Sequence, residues 1–125
     1  MSVYSANPRN VYRQSAVLTA TPQQLVVMLY DGARRFLHQA ATAMRDDNVE
    51  LSHAKLRRAE SIISHLRDTL DMEQGEISAQ LQSLYLFCNR HLSQARIDRD
   101  PDKIEEVSGL LGELREAWNA IPAAA

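Results

Sequence analysis

Thr21-Pro22 and Asp100-Pro101 each place a good N-cap residue directly before a proline, whose missing N–H and fixed φ suit the first position of a helix. Gln24 stands where a capping box needs Glu or Gln, so the first of these starts is doubly marked. With only 4 glycines and 4 prolines in 125 residues, the rest of the chain is punctuated sparsely and divides into a tail and four helical segments. The first helix is predicted from Pro22 to Arg45, with Leu25, Leu29, Gly32, Phe36 and Ala40 on one stripe. Val26, Tyr30, Ala33, Leu37 and Ala41 lie beside them. Asp47 with Glu50 forms a second capping-box pattern, and a helix is predicted from about Asn48 to Leu70. A third runs from Glu76 to about Ile97 with the stripe Ile77, Leu81, Leu84, Cys88, Leu92 and Ala95. The fourth carries Ile104, Val107, Leu111, Leu114 and Trp118. No segment alternates with a strand period, and the links are short. The expected fold is therefore all-α, an antiparallel up-down four-helix bundle ~30 Å long. Residues 1–19 are expected to be a mobile N-terminal cap segment and 20–121 the bundle domain.

Two runs exceed what such a bundle needs. Leu25 to Tyr30 and Leu84 to Cys88 are continuous apolar or aromatic stretches that circle a helix, whereas a bundle helix buries only a stripe. Burial, cover by the tail, and a docked partner helix all account for such a surplus. The third helix is its expected location, with Leu86 and Phe87 as its most exposed members.

Other function classes find little support. A net charge of −2 and a pI near 6.1 give no electrostatic reason to bind nucleic acid, and Arg34-Arg35 and Arg57-Arg58 read as solvated helix faces. No apolar run approaches the roughly 20 residues of a membrane span, and no signal peptide is visible, so a soluble cytoplasmic protein without membrane insertion is expected. Cys88 is alone in an apolar run and is expected to pack as a small hydrophobe in a reducing compartment. Glu50 and His53 have di-iron spacing, but the first helix contains no Glu and the motif occurs once. His38, His65 and His91 have polar neighbours at helical spacing. Neither a nucleophile-base pair nor a phosphate-binding glycine loop is present. No catalytic residue, metal or cofactor is expected, and the chain is not expected to be an enzyme.

Several segments carry a family resemblance. T-A-T-P-Q-Q-L-V-V-M-L-Y-D-G-A at 19–33, A-x-L-R-R-A-x-x-I-I-S-x-L at 54–66 and L-D-M-E-Q-G-E-I at 70–77 are followed by S-L-Y at 83–85, N-R-x-L at 89–92 and I-E-E-V-x-G-L-L-x-E-L-R-E-A-W at 104–118. Together, and in this order, they resemble the flagellar export chaperone family FliS. The resemblance implies a cytoplasmic chaperone that binds the disordered C-terminal region of flagellin, prevents its premature polymerisation and assists its delivery to the type III export gate. It also implies that an N-terminal segment, here Tyr12 with Val17 and Leu18, packs on the apolar surface when flagellin is absent. This chain has a single Gly75 where relatives commonly have two, Leu86 where Asp is common, and Phe87-Cys88 in place of Tyr and Met. Patterning places the client groove largely on the second and third helices, at Leu56, Ile62, Ile63, Leu66, Leu70, Tyr85, Leu86 and Phe87. The alternative is a helical-bundle adaptor or regulatory module for a different client.

Overall fold

A computed structural model describes residues 19–121 and contains helices α1 (Pro22–Arg45), α2 (Val49–Asp68), α3 (Glu76–Asp98) and α4 (Pro101–Ala120), with a 3-10 turn at Met72–Gln74. The expected cap residues Tyr12, Val17 and Leu18 lie outside the described residues. The α1 start follows the sequence reading: Thr21 Oγ1 accepts from the Gln24 amide at 3.1 Å, and Gln24 Oε1 accepts from the Thr21 amide at 2.9 Å. The α2 start differs by one residue. Asn48 is the cap, accepting from the Leu51 amide at 3.2 Å, because Asp47 adopts a left-handed φ of 57° that turns the chain out of α1. Asp100 caps α4 by accepting from the Asp102 amide at 3.0 Å.

The helices run up and down in turn. Arg45 at the end of α1 bonds Asp102 and Glu105 at the start of α4, while Asp31 nearer the α1 start pairs with Arg115 near the α4 end. Glu60 and Arg96 join α2 to α3 in the same antiparallel sense, and His91 and Glu106 join α3 to α4. These pairs lie on partly exposed surfaces, where they set register more than they stabilise.

The core shows which stripe of α1 prevails. Tyr30, Ala33, Leu37, Ala40 and Ala41 are fully buried, whereas Leu25, Val26, Leu29 and Phe36 remain half-buried. Small residues at the centre of that face let α1 lie close to both α2 and α4, which are its most intimate neighbours, and α3 packs less closely on either side. From α2 come Leu56, Ala59, Ile63 and Leu66, and from α4 Ile104, Val107 and Leu111. Each large aliphatic side chain here contributes about 1.5–3 kcal/mol by leaving water.

The α3 stripe departs from expectation. Ile77 is 68% exposed and Leu81 and Leu84 are half-buried, while Ser78 and Tyr85 are buried in their place. Polar contacts cause the rotation. Ser78 donates to the Asp71 carbonyl at 2.6 Å under the α2–α3 link, and the Tyr85 hydroxyl meets the Tyr30 hydroxyl at 2.5 Å in the middle of the bundle. Burial raises the pKa of both phenols, and the bond to Tyr85 partly offsets this for Tyr30.

Cys88, one turn beyond Tyr85, is buried, and desolvation pushes its thiol up to about 11. The thiolate is therefore scarce at neutral pH, and a disulfide-exchange reagent should label Cys88 only as fast as the native chain unfolds; labelling faster than unfolding, monitored by circular dichroism, would contradict this packing. For the tyrosine pair, Tyr30→Phe and Tyr85→Phe each strand the hydroxyl of the other residue, because the two groups bond each other. Denaturant unfolding should therefore show a loss of about 1–3 kcal/mol for either variant, and no loss would show that the hydroxyl pair contributes nothing.

Candidate functional site

Where α1 and α3 begin and α2 and α4 end, the bundle opens into an apolar cleft of about 440 Å³. Its walls come from every helix: Val26 on α1, Leu66 on α2, Ile77, Leu81 and Tyr85 on α3, and Trp118 on α4, with Leu70 just beyond α2. Thr69, Asp71, Gln74 and Ser78 supply the polar parts of the lining.

Local sequence builds this rim. Thr69 ends α2 and turns its hydroxyl back to the Leu66 carbonyl at 3.2 Å, which leaves Leu70 directed to the cleft. Asp71 accepts from the Glu73 amide at 3.0 Å and so starts the 3-10 turn. Gly75, at φ 73°, then takes the left-handed step that a side chain would resist, and α3 begins. On the opposite wall, Gln23 donates its amide to the carbonyls of Trp118 and Ile121 at 2.6 and 2.7 Å. The Trp118 carbonyl also accepts from the Ile121 amide at 3.3 Å, so Gln23 reinforces this cap and ties the end of α4 to the first turn of α1.

The seam between α2 and α3 is different in character. Arg96 binds Glu60 at 2.6 Å and donates to His53 Nδ1 at 3.1 Å, and Asn89 donates to Ser64 Oγ at 3.0 Å. This occupies one nitrogen of the histidine in the Glu50/His53 pattern, and among the described residues no group of three or more His, Cys, Asp or Glu converges as metal ligands do. No described helix is long and apolar enough to cross a membrane.

The eight expected groove residues separate into distinct environments. Leu56 and Ile63 are in the core, and Ile62 is half-buried against α1, with its Cδ1 facing Gly32. Leu66, Leu70 and Tyr85 line the cleft, Leu66 and Tyr85 as buried floor and Leu70 half-exposed. Leu86 and Phe87 are 39% and 46% exposed on α3, and the Phe87 ring stacks on His91 at 5.1 Å, itself tied to Glu106 of α4. Val26, Leu81 and Trp118 pack against the core as their periodicity implies and also wall the cleft, whereas Ile77 is exposed at its mouth. Their position near helix ends is the signal that distinguishes them, because a stripe's outermost members lose opposing neighbours where a bundle opens.

An apolar cleft with polar residues at its mouth is the kind of surface on which amphipathic helical segments are recognised. Comparison with known proteins makes the class specific. The family model for flagellar protein FliS matches residues 5–125. The chain is 38% identical to the flagellar secretion chaperone FliS of Bacillus subtilis over 112 residues, covering 90% of this chain and 84% of the relative. It is 39% identical to the FliS of Salmonella typhimurium, covering 95% and 93%, and 31% identical to the flagellar secretion chaperone FliSB of Pseudomonas aeruginosa, covering 95% and 98%. The chain belongs to the FliS family of flagellar secretion chaperones, a family of chaperones and not of enzymes.

The Gln23 tie makes a direct prediction about the cleft wall. Gln23→Ala should cost about 1 kcal/mol in denaturant unfolding and increase quenching of Trp118 fluorescence by acrylamide. Unchanged quenching would show that α4 holds Trp118 without this bond.

Proposed function

We propose that this chain binds the disordered C-terminal region of flagellin in the cytoplasm, keeps it from polymerising and presents it to the flagellar type III export gate. The apolar cleft walled by all four helices, in a chain of the FliS family, is the observation that supports this reading most. A disordered client loses conformational entropy when it orders on a surface, and apolar burial at roughly 25 cal/mol per Å² has to offset that loss. A preformed cleft reduces the chaperone's own share of the ordering cost. Its polar rim, including Asp71 and Gln74, offers partners to backbone groups at the ends of a docked helix. Leu86 and Phe87 extend the client surface onto the outside of α3, so the client contacts more than the cleft alone. On this reading Tyr12, Val17 and Leu18 cover part of the same apolar surface in the free chaperone and give way to flagellin.

Calorimetric titration with full-length flagellin and with flagellin lacking its C-terminal region tests the function: binding should disappear with the truncation, and equal binding of the two forms would overturn the proposal. Ile77→Asp and Phe87→Asp test the surface, since both side chains are exposed and neither substitution should unfold the bundle. Each should weaken flagellin binding at least tenfold, ~1.4 kcal/mol. An unchanged affinity for one variant would remove its part of the surface from the client site, and a tight homodimer formed through this face in place of flagellin binding would favour a different client or role.

A further inference from the structure

The cationic side chains of this chain are not distributed alike. Arg45, Arg67, Arg96, Lys103 and Arg115 each reach a carboxylate. Arg35, Lys55, Arg57 and Arg58 make no ion pair or hydrogen bond among the described residues, and they gather on one face formed by α1 and α2. Their common feature is Phe36. Lys55 Nζ lies 5.5 Å from the ring centroid, Arg58 Cζ 5.7 Å and Arg35 Cζ 5.8 Å. Arg57 lines the same hollow, whose floor is the half-buried Phe36 with Ala54.

An aromatic ring attracts cations through its quadrupole but carries no net charge, so it assembles these groups without neutralising them. The result is concentrated positive charge on a chain whose net charge is −2. The geometry points to a docking site for a short acidic segment of a second protein, with Asp or Glu side chains paired to Arg57, Arg58 and Lys55 and an apolar residue seated on Phe36 and Ala54. Guanidinium groups bind carboxylates in two-pronged pairs, which suits this chemistry. The patch is also short. Its α2 cations occupy one turn, and Glu50, Glu60 and Asp68 lie along the same helix beyond it. Arg57 itself borders a second hollow that contains Glu60 and Asp68, so a nucleic acid strand running on past the patch in that direction meets carboxylates. None of Phe36, Lys55, Arg57 and Arg58 lines the cleft assigned to flagellin, so the two sites can be filled together.

Fluorescence anisotropy of a fluorescein-labelled octaglutamate with the full chain tests the site, with labelled octaglutamine as the neutral control and a single-stranded RNA octamer as the competing polyanion. Saturable binding of octaglutamate that weakens with added salt is expected, with at least a tenfold loss in Arg57→Glu/Arg58→Glu and little change in Arg90→Glu or Ile77→Asp. Helicity by circular dichroism checks that the double variant is folded, and Lys55→Gln, a milder change, should lower affinity in the same direction. Absence of saturable octaglutamate binding, equal binding by the double variant, equal binding of octaglutamine, or tighter binding of the RNA would each overturn the proposal. Because flagellin is absent from every arm, failure here leaves the flagellin reading untouched, and the reverse also holds.

Discussion

The small side chains of α1 govern how the other helices can be arranged. Ala33, Ala40, Ala41 and Ala43 present almost no bulk, so α2 and α4 both settle close to α1 and the three form the tight part of the bundle. α3 packs less closely, burying Ser78, Tyr85, Cys88, Leu92 and Ala95, and it meets α1 through two tyrosine hydroxyls. The first turns of α3 leave Ile77 in solvent and Leu81 half-covered, and both side chains line the cleft. Thus the cleft originates in packing between helices and not in any one of them.

That origin explains which parts were legible in the chain. Thr21, Gln24 and Asp100 act through neighbours three residues away or fewer, and their caps form where local rules place them. The fourth helix, whose apolar residues keep one phase, buries Ile104, Val107 and Leu111 as its spacing implies. The α3 stripe could not be assigned in the same way. Leu84 through Cys88 gives periodicity no contrast, and the choice between Leu84 and Tyr85 was made by Tyr30, 55 positions earlier. Nor does spacing reveal that Leu56 and Ile63 disappear beneath their neighbours while Leu70 stays accessible, since that depends on where the bundle opens. The family resemblance supplied the kind of protein, and the three-dimensional packing supplied the surface.

Polar contacts divide the exterior into regions with different uses. Glu60, Ser64, Asn89 and Arg96 occupy the middle of the α2–α3 seam, so a client cannot enter there without breaking them. Apolar surface is left at the cleft and on the outside of α3. The cations around Phe36 form a third region, on the face where α1 and α2 meet, and its chemistry favours carboxylates over hydrocarbon. A chaperone that must hold a client and be recognised while doing so needs surfaces that do not compete.

The paired hydroxyls of Tyr30 and Tyr85 have one more implication. Hydrocarbon contacts tolerate sliding, because one methyl group replaces another at little cost, but a buried hydrogen bond is directional and has a single mate. Moving α3 by one turn would leave both oxygens dry and unmatched. The pair therefore fixes the register of α3 against α1 in a way that apolar contacts alone would not.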